Sequence, residues 1–316
     1  MNITVIVCTY NRCRSFVRTL NSISLSVLPQ SVAWEVLLVD NNSTDATRAM
    51  FEEFRSRTHR DCFRYVFEPR QGLSFARNAG IREGLGDIIA FTDDDAVVDR
   101  GWLWNLTTYI RSGECAGVGG RTLPDGPFSL PRWLSQQEPY NWGGILGGFF
   151  DLGDQPCELV GLAPFGNNMA YSKKSFEKYG EFRTKLGRRP GSLMSNEDTE
   201  FGRRLIAQGE RLRYDPRAIV YHPVLEERLN RKYFLRWQFD YGRALILEEG
   251  NPDGLKIGLK FLARTLRWIM SVGVAKRFQR KCNVWAMAGK ISETWRQGYE
   301  RPESSASRDH VERRTN

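Results

Sequence analysis

Three adjacent aspartates, Asp93, Asp94 and Asp95, follow the apolar run 88–91 and a single threonine. Carboxylates packed this closely raise one another's pKa unless a cation neutralises them, and a hard divalent ion is the simple solution. Mg2+ or Mn2+ takes one or two carboxylates together with phosphate oxygens, so the run also points to a phosphorylated ligand; a solvated acidic turn is the alternative. A second acidic pair, Glu197 and Asp198, follows Asn196 and opens a segment with helical spacing through Phe201, Leu205 and Ile206. Acids at a helix start either stabilise its dipole or serve chemistry. His222, one of three histidines in the chain, stands before Pro223 and could be a metal ligand, a diphosphate contact or a structural residue.

These side chains need elements to position them. The first hundred residues alternate short apolar runs with helical patterns: 3–8 then 12–26, 34–39 then 45–57, 63–67 then 73–84, and 88–91. That is the βαβα rhythm of an α/β protein with a mostly parallel, Rossmann-like sheet covered by helices. Ligands of such sheets bind outside the carboxyl ends of the strands. Here those ends carry Thr9, Tyr10, Asn11 and Arg12, then Asp40 through Asp45, then Thr92 through Asp95. Ser43, Thr44 or Asp45 can also cap the helix that follows. Neither GxGxxG nor a Walker A loop follows the first strand, which argues against a nicotinamide dehydrogenase. From 101 to 165 the periodicity weakens and aromatics accumulate, among them Trp102, Trp104, Trp133, Tyr140, Trp142, Phe149 and Phe150. They form either a surface on which sugars stack or part of the core.

The chain has 316 residues, 41% of them hydrophobic and 26% charged, which suits two globular domains or one large α/β domain with an appended region. No apolar stretch approaches the roughly 20 residues of a spanning helix. The N-terminus leads directly into a strand pattern without a basic leader, so a cytoplasmic location is expected. Six scattered cysteines lack CxxC spacing and read as reduced thiols. The net charge of +9 is concentrated late, with 19 Lys or Arg against 11 Asp or Glu in residues 226–316. Between 255 and 282 eight basic residues and no acid interleave with leucines, the pattern of a basic amphipathic segment. Such a segment can lie on an anionic membrane, bind nucleic acid or pack on the body; no nucleic-acid-binding signature accompanies it, so no nucleic-acid partner is expected.

The ordered segments VIVCTYNR, LLVDNNSTD, EPRQGLSFARNAGI, FTDDDA, GNNMAYSK, SNEDTEFGRRLIAQGERLRYDP and YHP resemble the inverting nucleotide-sugar glycosyltransferases of family two, of bacterial polysaccharide-biosynthesis type, across about residues 1–225. The resemblance implies the GT-A fold. It places Thr9, Asn11 and Asp40 around the base and ribose, Arg12 among the residues that bind the nucleotide-sugar, and Arg70 and Arg77 near the nucleotide, where guanidinium suits phosphate oxygens. Asp93 would approach ribose or metal and Asp95 would hold Mn2+ or Mg2+, with Asp94 beside them and His222 as a weaker ligand. Asn168, in Gly166-Asn167-Asn168, would contact donor or acceptor, unless these residues simply form a turn. Asp198 would be the general base and Glu197 would position acceptor or base.

The implied reaction moves a sugar from a nucleoside diphosphate, with UDP the expected nucleotide, to a hydroxyl of a saccharide or lipid-linked saccharide. A catalytically silent saccharide-binding or assembly protein of the same fold is the alternative. The expected organisation is a catalytic domain over 1–225, divided into a nucleotide-binding half (1–100) and an acceptor half (101–225). A helical basic extension over 226–300 and a disordered tail over 301–316 complete it. The basic extension would hold the protein peripherally on the inner face of a membrane.

Overall fold

A computed structural model describes residues 2–58, 61–134, 142–250 and 253–299. Tyr140 and the tail 301–316 lie outside the described residues. The chain divides into two compact units, Met1–Phe234 and Leu235–Asn316.

The first unit is built on a nine-stranded sheet. Its apolar runs become the parallel strands β1 (Ile3–Thr9), β2 (Trp34–Asp40), β3 (Phe63–Phe67) and β4 (Ile88–Asp93), and α1 (Ser15–Ser24), α2 (Thr47–Thr58) and α3 (Leu73–Glu83) connect them. After β4 come β5 (Val97–Val98), α4 (Trp102–Arg111), β6 (Gly117–Pro124), α5 (Gly143–Gly147), β7 (Cys157–Glu158) and β8 (Asn168–Ser172). Then follow α6 (Lys173–Tyr179), α7 (Glu197–Ala207) and β9 (Leu212–His222). The strand order is β3-β2-β1-β4-β8-β6-β9-β5, with β7 also paired to β9. β8 enters antiparallel between β4 and β6, while β6 and β9 run parallel over the longest register in the sheet.

Helices on both faces explain why the strands are apolar without alternation. Val5, Val7, Val36 and Leu38 join Phe16, Phe51 and Trp102 in one buried cluster. Ile6, Leu37, Val39 and Phe91 join Tyr171, Phe176 and Phe201 in the other. Each such side chain contributes roughly 1.5–3 kcal/mol by leaving water. α3 lies unusually close to β1, because a Cβ at Gly80 would fall 2.8 Å from Ile6. That approach brings Arg77, one turn earlier on α3, down to the end of the sheet.

The second unit contains most of α8 (Arg231–Glu249), then α9 (Gly254–Ile269) and α10 (Val274–Tyr299). α8 and α10 cross at backbone contact: a Cβ on Gly242 would fall 1.8 Å from the Ala286 carbonyl oxygen, and one on Gly289 1.9 Å from that of Phe239. Glycine in a helix interior costs about 1 kcal/mol, and here it permits the crossing. No helix of the described residues is long and apolar enough to cross a membrane.

Candidate active site

Four strand ends converge where the sequence places its polar residues. The β1 end delivers Thr9, whose hydroxyl donates to Asp94 Oδ2 at 2.6 Å, and Arg12, whose guanidinium meets Asp94 at 3.1 Å and Asp95 at 2.8 Å. Asn11 adopts a left-handed conformation (φ 50°), which Asn tolerates better than most residues. This turn lets its Oδ1 accept from the Thr44 amide and its own amide donate to Ser43 Oγ. The loops after β1 and β2 are thereby laced together. Asp45, not Ser43 or Thr44, accepts from the amide of Thr47, the first residue of α2.

At the end of β2, Asp40 is buried and accepts from Tyr65 Oη at 2.5 Å and from the Ser43 amide at 2.9 Å. Asn41 joins this loop to the next: its amide group donates to the carbonyls of Glu68 and Arg70, and its oxygen accepts from the Gly72 amide. Arg70 is chelated by both oxygens of Glu68.

The three aspartates separate in role. Asp94 points to Thr9 and Arg12, and burial carries it up to about 7 against the pull of Arg12. Asp93 and Asp95 face the end of β9 instead. There His222 Nε2 lies 3.5 Å from Asp93 and 3.2 Å from Asp95. Burial alone would raise both acids, but the imidazolium holds them below the usual carboxylate range. Burial would likewise lower His222, yet its two acidic neighbours carry it up to about 9. Its ring is oriented by the contact of Nδ1 with the Pro223 carbonyl. Among the described residues, Asp93, Asp95 and His222 present ligand atoms within 4.8 Å of one another, a donor set of hard oxygens and one imidazole that fits a divalent ion.

The second acidic pair opens α7, directly after Asn196 in a left-handed turn (φ 82°). That turn sends the two carboxylates to different partners. Glu197 is buried against Arg77, 2.5 Å from its Nη1, while its second oxygen is buried without a hydrogen-bond partner. Burial and the adjacent Asp198 push Glu197 up to about 7, with Arg77 opposing. Asp198 is only half-buried; its oxygens accept from the amides of Gly166 at 2.6 Å and Thr199 at 2.7 Å. Arg77 also lies 3.8 Å from Asp93. It therefore bridges the strand-end acids and the helix-start acids. Gly166 makes room for it, since a Cβ there would fall 2.1 Å from the guanidinium.

The structure thus brings Thr9, Arg12, Arg77, Asp93, Asp94, Asp95, Glu197, Asp198 and His222 into one linked set. Asp40, Asn11 and Arg70 belong to the neighbouring laced loops. Asn168 is buried and engaged with the scaffold, donating to the carbonyls of Arg121 and Ala218 and accepting from the Trp102 indole. The aromatics of 101–165 also divide: Trp102, Trp142 and Phe150 are core, while Trp104, Trp133 and Phe149 are partly exposed. Two participants escaped the sequence reading. The Gly166 amide that holds Asp198 has no side-chain signature. Arg228, whose charge helps to keep Asp95 ionised and whose guanidinium donates to the Leu146 carbonyl, left only the faint signal of a basic residue shortly after His222.

A family model described as Glycosyl transferase family 2 matches residues 4–180. The chain is 27% identical over 232 residues to a glucosyl-dolichyl phosphate glucuronosyltransferase of Haloferax volcanii, covering 72% of this chain and 71% of the relative. It is also 27% identical over 251 residues to the succinoglycan biosynthesis protein ExoM of Rhizobium meliloti, covering 77% and 74%. Among solved structures, the mannosyltransferase PcManGT from Pyrobaculum calidifontis, in complex with GDP-Man and Mn2+, superposes with a TM-score of 0.63 at 17% identity, covering 93% of this chain and 87% of that one. That superposition bears out the GT-A architecture.

Proposed function

The chain belongs to glycosyl transferase family 2, and from that premise we propose that it transfers a sugar, with inversion and in a metal-dependent reaction, from a UDP-sugar to a hydroxyl of a saccharide or lipid-linked saccharide. The observation that carries this reading is the Arg77 bridge, which ties Asp93, one of the carboxylates suited to a metal, to Glu197, the neighbour of the carboxylate suited to accept a proton. The names of relatives support the class of reaction and differ on the nucleotide: one is a glucosyl-dolichyl phosphate glucuronosyltransferase, another a succinoglycan biosynthesis protein, and solved neighbours hold GDP-Man with Mn2+ or, in Staphylococcus aureus TarS 1-349, UDP.

Asp93, Asp95 and His222 would hold the ion, and the imidazole in that set favours Mn2+ over the oxygen-preferring Mg2+. Such an ion would supply Lewis-acid stabilisation to the negative charge that gathers on the departing diphosphate. Arg12 and Arg77 keep the surrounding acids ionised or paired, so the carboxylates are fixed before substrate arrives. Asp198 takes the proton of the acceptor hydroxyl, because each of its oxygens spends one lone pair on a backbone amide and retains another. As the hydroxyl oxygen bonds to the anomeric carbon, the bond from that carbon to the diphosphate oxygen breaks on the opposite face. An α-linked donor gives a β-glycoside.

A thermal-shift panel of UDP, GDP, CDP and dTDP, with and without Mn2+, followed by a nucleoside diphosphate release assay, tests the reading. A UDP-selective shift that needs Mn2+ and a release activity that EDTA abolishes are the expected results. Absence of any shift would put the silent, saccharide-binding alternative in its place.

A further inference from the structure

Leu255, Leu259, Leu262, Leu266 and Ile269 recur on α9 at the spacing of one helix face, and each is between 59% and 74% exposed. Met270, Val272 and Val274, in the turn that follows and at the start of α10, are exposed as well. This stripe is not the face by which α9 folds. That face is the opposite one, where Ile257 is buried with Ile246 and Met287 and Phe261 packs alongside. α9 is thus apolar on two sides, and only one of them is explained by the packing of its own unit. A contiguous apolar surface of this kind marks a docking site.

Charge selects the occupant. Lys256, Lys260 and Arg267 are exposed along one flank of the stripe, and Lys276 and Arg277 are exposed at the start of α10. Residues 255–282 contain no Asp or Glu. Lys256 lies 3.7 Å from Asp253, but the rest of 255–282 is basic, so pairing with a second copy of the same face would bring two net-positive flanks together, which is unfavourable for like charges. An anionic bilayer instead offers acyl chains to the leucines and phosphates to the basic flank. A helix of 16 residues is too short to span, and an amphipathic one of this character lies in the plane of the interface.

We propose that α9 and the turn into α10 dock this protein on an anionic lipid surface, with the leucine stripe at the acyl boundary and the lysines and arginines at the headgroups. The docking stands independently of the reaction proposed above.

Co-sedimentation of the full chain with phosphatidylcholine vesicles containing phosphatidylglycerol, against phosphatidylcholine alone, tests it. The chain should pellet with the anionic vesicles and release as salt is raised. Each basic residue near such a surface is worth roughly fivefold in affinity, so the triple variant Lys256→Gln, Lys260→Gln, Arg267→Gln should bind ~100-fold more weakly. The variant Leu259→Gln, Leu262→Gln, Leu266→Gln should lose at least about tenfold. All six positions are exposed, so both variants should keep the parent melting temperature, which checks that they fold. Equal binding to both vesicle types, or binding undiminished by either variant, would overturn the proposal. So would a dimer in analytical ultracentrifugation that the leucine variant dissociates, without vesicle binding; that result would assign the stripe to a second copy.

Discussion

The acids at the end of β4 and the acids at the start of α7 are both adjacent carboxylates in buried surroundings, and the fold treats them differently. Asp93 and Asp95 meet a cationic His222 brought from another strand, and both are held ionised. At α7 one acid turns inward to Arg77 and is pushed up to about 7, while its neighbour stays half-exposed on two backbone amides. What lies opposite decides the difference. β4 ends at Asp93 and the chain turns at once, the Ala96 amide donating to the Asp93 carbonyl, so Asp94 departs to Thr9 while its neighbours share one partner. A helix start turns about 100° per residue, so Glu197 and Asp198 separate without a shared partner. One group is built to concentrate negative charge and the other to distribute it.

The sharpest way to break this comparison is to neutralise one acid from each group. Asp198→Asn should lower turnover by about 10²–10⁴-fold, the range for losing a general base, while the Mn2+-dependent stabilisation by UDP persists. Asp95→Asn should remove both turnover and the metal-dependent shift, since it would subtract a proposed ligand of the ion. Release assays and thermal shifts on the two variants read this directly. If Asp198→Asn abolished nucleotide binding as completely as Asp95→Asn, the two groups would form one binding site and the division would fail.

Arg77 joins the groups, so its removal reports on their coupling. With only 4% of the side chain exposed, Arg77→Met leaves Glu197 buried and unpartnered, which costs about 3–5 kcal/mol for a broken buried pair. Above the pH at which Glu197 ionises, the double variant Arg77→Met, Glu197→Gln should recover a substantial part of that loss, because the uncompensated charge is gone. Urea midpoints of wild type, both single variants and the double variant measure the interaction. A double variant no more stable than Arg77→Met would show that Arg77 acts through packing against Phe91 and Phe182 and not through its charge.

Much of this arrangement is legible in the sequence. The apolar runs 3–8, 34–39, 63–67 and 88–91 mark β1 to β4 almost to the residue, because strands buried on both faces need unbroken hydrophobicity. The acidic run and the Glu197-Asp198 pair announce themselves by type and spacing. Partners are harder to read. That His222 faces Asp93 and Asp95 depends on β6 and β9 running parallel beyond a register shift at Gly120 and Arg121, which no local pattern encodes. The family resemblance implies that Asn168 contacts donor or acceptor, and its amide serves three scaffold groups. The family resemblance puts Arg77 near the nucleotide, and only the three-dimensional position of Glu197 shows what encloses it. On α9 the sequence shows the alternation of leucine and lysine but not which of two apolar faces the fold uses.

The smallest expected effect concerns Glu197 itself. Its ordinary value is 4.5, and in the folded protein it stands at about 7. A carboxyl raised on folding binds its proton more tightly in the native state, so its contribution to stability is full below the unfolded value and is lost as pH rises towards 7. Glu197→Gln cannot titrate and should lack this component. The difference in urea midpoint, wild type minus variant, should therefore fall as pH rises from about 5 to 7 and level off above. A difference that instead grows with pH would mean that Arg77 wins over burial and Glu197 is ionised throughout. The buried pair would then be an ordinary ion pair, and both groups of acids would be held charged by the cations opposite them, which removes the contrast between strand end and helix start.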